Sequence, residues 1–380
     1  MKAWLSKIDF AQVIDALLPV IATFAALALG AVMLLILGAN PIRAYGALLE
    51  GAFGSGNALA ETAVKAVPLL LVGLGICIAF RANVINIGGE GQMIVGALLA
   101  TLVGLSLPGW PGWVIISLAI IAGFLGGAVW GAIPGALKAY FSVNEILSTV
   151  MMNAIAVQLM NFLLRGPMID PAQAELDSKI PQTAPLEQAV RLPRLVPTRL
   201  HLGALLAIVL AFLVYILLWR TTLGYRIRAV GQNPHASRYG GIRVRHQIVI
   251  ALLLSGAFAG LAGAIQVYGL NYRMITDGSA TGFTASAGFN GIVAALFGQL
   301  HPIGTIPASF FFGALLVGAN RLQRVMQVPS AYILALNGLV VIFVVSSEVW
   351  RRRRQRKRRI EAISKVEKEP PLVPESGVTS

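Results

Sequence analysis

Ten long apolar runs, none containing a charged residue, fill most of this 380-residue chain. They are Ala16–Ala39, Ala66–Phe80, Gly91–Leu107, Val114–Leu137, Ile146–Leu164, Leu202–Trp219, Ile248–Leu270, Gly282–Gly298, Ile303–Asn320 and Ala331–Ser347. A helix needs about 20 mostly apolar residues to cross a bilayer core. Lipid offers the backbone no hydrogen bonds, so runs of this kind must bond internally as helices. The expected fold is all-α, a polytopic membrane helical bundle of about ten transmembrane helices. Charged residues make up 12% of the chain, against about 25% in a soluble domain. The first run exceeds the roughly 7–15 apolar residues of a signal peptide, and Asn40-Pro41 makes a poor cleavage site, so it reads as a retained helix.

Basic residues orient the bundle. With the N-terminus inside, the inner segments carry 20 of the 30 Lys and Arg residues, including six arginines from Arg220 to Arg245 and the cluster Arg351–Arg359. Cytoplasmic loops concentrate such charge, so both termini are expected to be cytoplasmic. The formal net charge of +14 then reads as an inner-face anchor touching anionic membrane lipid, with no nucleic acid implied. The lone Cys77 lies inside an apolar run, so no disulfide framework forms within the chain.

Two connections are long. Residues 165–201 hold six prolines from Pro167 to Pro197, which excludes a long regular helix. This outer segment reads either as a docking surface for an external partner or as a connector. Residues 221–247 are basic and glycine-rich. Within them Pro234–Tyr239 has the marks of a short helix: Asn233 as N-cap, proline at the first position, and Gly240 or Gly241 at the end.

Glycine spacing speaks to packing. Gly123, Gly127, Gly131 and Gly135 recur every four residues, and Gly256 and Gly260 repeat the pattern. Each set forms a smooth helical stripe that lets another backbone approach closely. Fixed packing and a surface that slides during transport both fit. Asn83–Gln92, with three glycines, two asparagines, a glutamate and a glutamine, suggests irregular backbone near membrane depth, tolerated only against protein or a cavity. A plain cytoplasmic turn is the alternative. Asn153, Gln158, Asn161 and Gln266 are polar groups inside runs and must face protein or a cavity.

The chain offers no chemistry of its own. No Lys follows a Gly, so a Walker A loop is missing. The four histidines, His201, His235, His246 and His301, lack metal-ligand spacing. No catalytic residue, metal site or enzyme activity is expected. Glu90 and Glu145 are the only carboxylates near a crossing, both at run ends, which disfavours intrinsic ion coupling.

Four blocks carry a resemblance. They are Asn86–Gln92; Val143–Asn153 followed by Gly166-Pro167; Gly224–Ile242 with Leu254–Ala264; and Gly288–Gly298 with Pro302–Gly304. In order and spacing, over about residues 60–347, they resemble the inner-membrane permease subunits of bacterial ABC importers for nucleosides and simple sugars, nearest the nucleoside-type branch. His235 and Ser237 depart from the small, alanine-rich wording of that family's third block. The resemblance implies a single transmembrane permease domain over residues 1–350, with halves roughly 1–200 and 201–350. A cytoplasmic coupling loop would span 221–247, and residues 351–380 would form a basic then polar tail, disordered at its end. Gln232, Asn233, Pro234, Ala236, Ser237, Tyr239, Gly240, Gly241 and Ile242 would form the coupling helix seated in an ATPase cleft. ATP and Mg would bind that partner, and this chain would need no cofactor. A second permease subunit, in a heterodimer, and an external solute-binding protein or lipoprotein complete the implied assembly in the bacterial inner membrane. Neutral hydrogen-bonding groups and an aromatic suit a nucleoside or nucleobase. The candidates for the substrate path are Asn86, Gln92 and Asn153, then Phe289 and Asn290; Glu90 reads either as part of that path or as a group that holds the broken segment through backbone N–H groups. Alternatives are a permease for a simple sugar or other small polar solute, a self-sufficient carrier or facilitator, and a non-transporting scaffold.

Overall fold

The computed structural model describes residues 10–176 and 180–329, and in the C-terminal segment 332, 335, 336, 338–347, 350 and 354. The basic cluster 351–359, apart from Arg354, and the polar tail beyond it lie outside the described residues. The chain forms two compact units, Leu34–Ile333 and the terminal segments Met1–Met33 with Leu334–Ser380.

In chain order the helices are α1 Phe10–Ile36, α2 Pro41–Phe53, α3 Gly56–Arg81, α4 Gly89–Ser106, α5 Gly112–Phe141, α6 Glu145–Arg165 and the short α7 Pro171–Ala174. Then come α8 Gly203–Arg220, α9 Thr222–Gln232, α10 Pro234–Tyr239 and α11 Val244–Asn271, whose last turn, Val267–Asn271, is a π-helix. The series ends with α12 Ala280–Thr284, α13 Ala287–Phe297, α14 Pro302–Met326 and α15 Gly338–Ser347. Among the described residues, α3, α4, α5, α6, α8, α11 and α14 are long and apolar enough to cross a membrane. Ile21–Ile36 of α1, α13 and α15 are shorter apolar helices. The protein is a polytopic helical bundle.

One expectation is overturned. The run Gly282–Gly298 is not a single crossing helix, because it breaks at Ala285 and Ser286, both left-handed with φ of 50° and 59°. The pieces are α12 and α13. The apolar count continues through the break, which is why composition alone does not reveal it. A second feature was not anticipated: α2 lies between the first two runs, capped by Asn40, whose Oδ1 accepts the Ile42 and Arg43 N–H groups.

The core of the larger unit is α3, α4, α5 and α11, so helices from either side of residue 200 interleave. Glycines set how closely they pack. A Cβ on Gly127 would meet the Gly256 carbonyl, and one on Gly260 would meet the Gly123 carbonyl. On Gly131 it would lie 2.5 Å from the Leu252 carbonyl oxygen. Gly96 of α4 abuts Gly260 as well, so three backbones converge there. Such approach replaces side-chain packing with direct backbone contact.

The two ends of the bundle are distinct. At one end Lys138 pairs with Glu145 at 2.7 Å across the α5–α6 turn, and Arg81, Trp219 and His301 gather. At the other Arg321 pairs with Glu50, and Arg199 with Glu61 at 3.8 Å. That second end carries the proline-rich segment, tied to the end of α11 by backbone bonds. Thr183, Leu186 and Leu192 donate to the carbonyls of Met274, Tyr272 and Tyr268. This segment is therefore an anchored cover over α11.

Candidate functional site

The backbone leaves helical geometry at the end of α3. Asn83 is left-handed at φ 58°, and residues 82–88 run without helix before α4 begins at Gly89. This segment is buried at Val84, Asn86 and Gly88, so its polar groups need protein partners. Side-chain amides supply them. Asn86 and Gln92 form a reciprocal pair: Asn86 Nδ2 donates to Gln92 Oε1 at 3.0 Å, and Gln92 Nε2 to Asn86 Oδ1 at 3.2 Å. Asn86 Nδ2 also donates to Ser255 Oγ of α11 at 2.8 Å, and its Oδ1 accepts the Gly88 N–H at 2.8 Å. From α6, Asn153 Oδ1 accepts the Gly91 N–H at 2.8 Å while its Nδ2 donates to the Ile87 carbonyl at 2.9 Å. Thr149 Oγ1 accepts the Ile87 N–H at 3.4 Å.

Glu90 sits in the first turn of α4, where the helix dipole favours an anion. It is 1% exposed. Its Oε1 accepts the Phe289 N–H at 3.1 Å, in the first turn of α13. Gly288 makes this possible, since a Cβ there would lie 2.5 Å from the Glu90 nitrogen. Two helix N-termini thus share one carboxylate.

The six candidates fall into two groups. Asn86, Glu90, Gln92 and Asn153 are buried and brace the broken segment internally. Phe289 is 46% exposed and Asn290 half-buried, on the same turn of α13. Nearby, α6 turns an exposed stripe outward through Met151, Ile155, Gln158 and Phe162. Asn161 ties α6 to the segment before α12, accepting from Thr276 Oγ1 at 2.7 Å. An exposed amide such as Gln158 at membrane depth marks a face turned to protein or water rather than lipid. Ser255 and Thr149 belong to the network yet escaped the sequence reading. A hydroxyl within an apolar helix gives no signal of a partner outside that helix.

A second locus lies at the Arg81 end. Thr221 caps α9, its Oγ1 accepting the Gly224 N–H at 3.1 Å. Asn233 caps α10, its Oδ1 accepting the Ala236 N–H at 3.0 Å. Gly241 closes the turn with φ +79°, a conformation L side chains rarely adopt. Within α10 Ser237 is buried, while Ala236 is exposed and Tyr239 is 95% exposed. A cavity of about 850 Å³ opens beside it, bounded by Tyr225, Arg226, Asn233, Ala236, Arg243 and His246. An exposed tyrosine on a capped helix beside a polar concavity suits a protein partner.

The proline-rich segment ends at His201. Its Nδ1 accepts the Gly203 N–H at the start of α8, at 3.2 Å. Burial in apolar surroundings lowers its pKa to about 4, so the ring is neutral near pH 7.

Comparison with known proteins identifies relatives of the chain. Residues 58–345 match the family described as branched-chain amino acid transport system / permease component. The guanosine ABC transporter permease protein NupP of Bacillus subtilis is 37% identical over 87% of this chain and 93% of its own. The glucose ABC transporter permease protein TsgB13 of Haloferax volcanii is 33% identical over 88% of each chain. The nucleoside ABC transporter permease protein NupB of Lactococcus lactis is 30% identical over 86% of this chain and 90% of its own. No solved structure matches.

Proposed function

We infer, since the chain belongs to the branched-chain amino acid transport system / permease component family, that it is the membrane subunit of an ABC importer carrying a nucleoside or nucleobase across the bacterial inner membrane. Relatives named for guanosine and nucleoside transport support that solute class. A relative named for glucose keeps a simple sugar as the second reading. The carrying observation is α10, a short helix capped by its own Asn233 and exposed along most of its length. It fits a cleft in a cytoplasmic ATPase, which would hold ATP and Mg. A second permease subunit, in a heterodimer, and an external binding protein or lipoprotein complete the machine. Both termini face the cytoplasm on this reading.

The solute is met by Phe289 and Asn290, an exposed ring and a half-buried amide on one turn. Asn86, Gln92 and Asn153 hold the adjoining backbone in place, and Glu90 joins the two broken segments. Alternating access then requires these segments to take different positions in the two states, since a solute shifts the equilibrium only by binding them differently.

The test is reconstitution of the complex in vesicles, with labelled guanosine and labelled glucose as the two probes. ATP-dependent guanosine accumulation supports the reading. Glucose accumulation alone moves the solute class to sugars. Uptake by this chain without ATP or partners would overturn the importer assignment in favour of a self-sufficient carrier.

A further inference from the structure

The two broken segments of the candidate site share an anchor at the Arg81 end of the bundle. Residues 82–88 begin directly after Arg81, the last residue of α3. The other segment, α13, ends in the tight turn Gly298–His301, where Gln299 and Leu300 are both left-handed. The Leu300 N–H donates to the Ala295 carbonyl at 2.7 Å, which fixes this turn to the last turns of α13. Arg81 grips it from the other side, its Nη2 donating to the Leu300 carbonyl at 3.2 Å. One guanidinium therefore holds the origin of one broken segment to the end of the other.

Trp219, near the end of α8, sits beside that grip. The Arg81 guanidinium lies 5.1 Å from the indole centroid, and the His301 ring centroid is 4.9 Å away. Tyr215 stacks on the indole from within α8 at 5.3 Å. The guanidinium of Arg228, on α9, approaches the same ring at 5.9 Å. Both guanidiniums thus lie within the roughly 6 Å over which a cation is attracted to an aromatic face.

A second contact links α9 to the same place. Gly231, in the last turn of α9, lies so close to the Arg81 carbonyl that a Cβ would overlap it. Gly231 is three residues before Pro234, where α10 begins, and α9 is continuous between Arg228 and Gln232. A displacement of α10 therefore has a short path: through Gly231 and Arg228 to Arg81, then to both segments at once.

We propose that Arg81, Trp219, Arg228 and His301, with the Gly231 backbone contact, form the joint that delivers movement of α10 to both broken segments. These are positioning residues and none of them touches solute. The proposal rests on the importer reading. It explains why one helix displacement can reposition Phe289 and the 82–88 segment together, although they lie far apart in the chain. Packed side chains, hydrogen bonds and rigid elements between two sites can carry such coupling, and the joint supplies all three.

The experiment measures solute uptake and ATP hydrolysis in the same vesicles holding the full complex. Trp219→Leu removes the aromatic face, Trp219→Phe keeps a ring, and Arg228→Met keeps length without charge. The expected result is near-normal ATP hydrolysis by the Trp219→Leu and Arg228→Met complexes, with solute imported per ATP down about tenfold. Trp219→Phe should recover most of that ratio. If Trp219→Leu fails to assemble, Arg228→Met decides. The joint is overturned if uptake and hydrolysis fall together in proportion to assembled complex, or if the variants import like wild type. If the wild-type complex hydrolyses ATP but accumulates no solute, the importer reading falls first, and the joint with it.

Discussion

Replacing Asn86 with leucine, which has similar bulk, separates bracing from solute contact. The amide makes four hydrogen bonds, to Gln92 twice, to Ser255 and to the Gly88 N–H. Ser255 Oγ only accepts from Asn86, and its own O–H stays free to donate to a carbonyl in its helix, so the loss of that bond costs little. The Gly88 N–H and the Gln92 amide have no such escape, because both are buried. Each orphaned buried group costs about 1–3 kcal/mol in soluble proteins. Within membranes hydrogen bonds average about 0.6 kcal/mol each, which sets a floor near 2 kcal/mol for four. The expected loss for Asn86→Leu is thus about 2–6 kcal/mol, a large part of the roughly 5–15 kcal/mol that holds a typical protein folded.

The assay is denaturant unfolding of the purified protein in detergent, beside uptake by the reconstituted complex. Asn290→Ala is the comparator, since that side chain is half-buried in the first turn of α13. We expect Asn86→Leu to lose stability, and Asn290→Ala to lose uptake at unchanged stability. An Asn86→Leu protein that unfolds like wild type but no longer imports would refute the bracing argument and place Asn86 against solute.

Further outcomes follow from other parts of the bundle. Gly127→Leu should abolish folding, because the new side chain meets the Gly256 carbonyl, whereas Gly46→Ala, with open space around it, should unfold like wild type in the same assay. Ala236→Glu should leave the protein in the membrane but stop ATP-driven uptake, as an exposed α10 residue acquires a carboxylate that docking would bury unpaired; normal uptake would remove α10 as the docking element. In a Cys77→Ser background, a cysteine at exposed Gln188 should react with an impermeant thiol reagent from outside, and one at exposed His235 should not; reversed labelling would invert the topology. His201 sets a pH limit. Its folded pKa of about 4 lies below the usual 6.5, so the unfolded chain takes up the proton first as pH falls. Stability is complete above about pH 6.5 and declines toward pH 4, by about 3 kcal/mol in all. His201→Gln should flatten that decline in unfolding measured from pH 7 to pH 4.

Much of this was legible in the residues, for identifiable reasons. Apolar run length predicts crossing helices because lipid leaves the backbone no other solution. Asn233-Pro234 and Gly240-Gly241 mark both ends of α10 through local hydrogen bonding and φ alone, which need no tertiary context. The break in Gly282–Gly298 was hidden because it falls at Ala285-Ser286, neither glycine nor proline. Its left-handed backbone is held by tertiary contacts, among them the Glu90–Phe289 bond from a segment 199 residues away in sequence. Helix α2 carried its signal in Asn40-Pro41, but its amphipathic sequence falls between two runs and does not register as a crossing. The amide cluster was visible as polar residues in apolar surroundings. Its bonding to itself was not, since that depends on which helices the glycines bring together.

The same geometry favours fixed packing over sliding for the glycine stripes. Contact between α5 and α11 runs both ways, with Gly127 against the Gly256 carbonyl and Gly260 against the Gly123 carbonyl. Moving one helix by a single residue, about 1.5 Å, would drive carbonyls and side chains into positions that only glycine now fits. A surface locked in register cannot slide in small steps, so these stripes hold α5 and α11 as one body. Mobility must then reside where regular packing stops. Helix α13 meets that condition at both ends, between the Ala285-Ser286 break and the Gln299-Leu300 turn. It is about 16 Å long at 1.5 Å per residue, too short to span, and Glu90 and Arg81 reach it from opposite ends. A rigid body of α5 and α11 with α13 as the moving part would give the bundle two arrangements without unravelling any crossing helix.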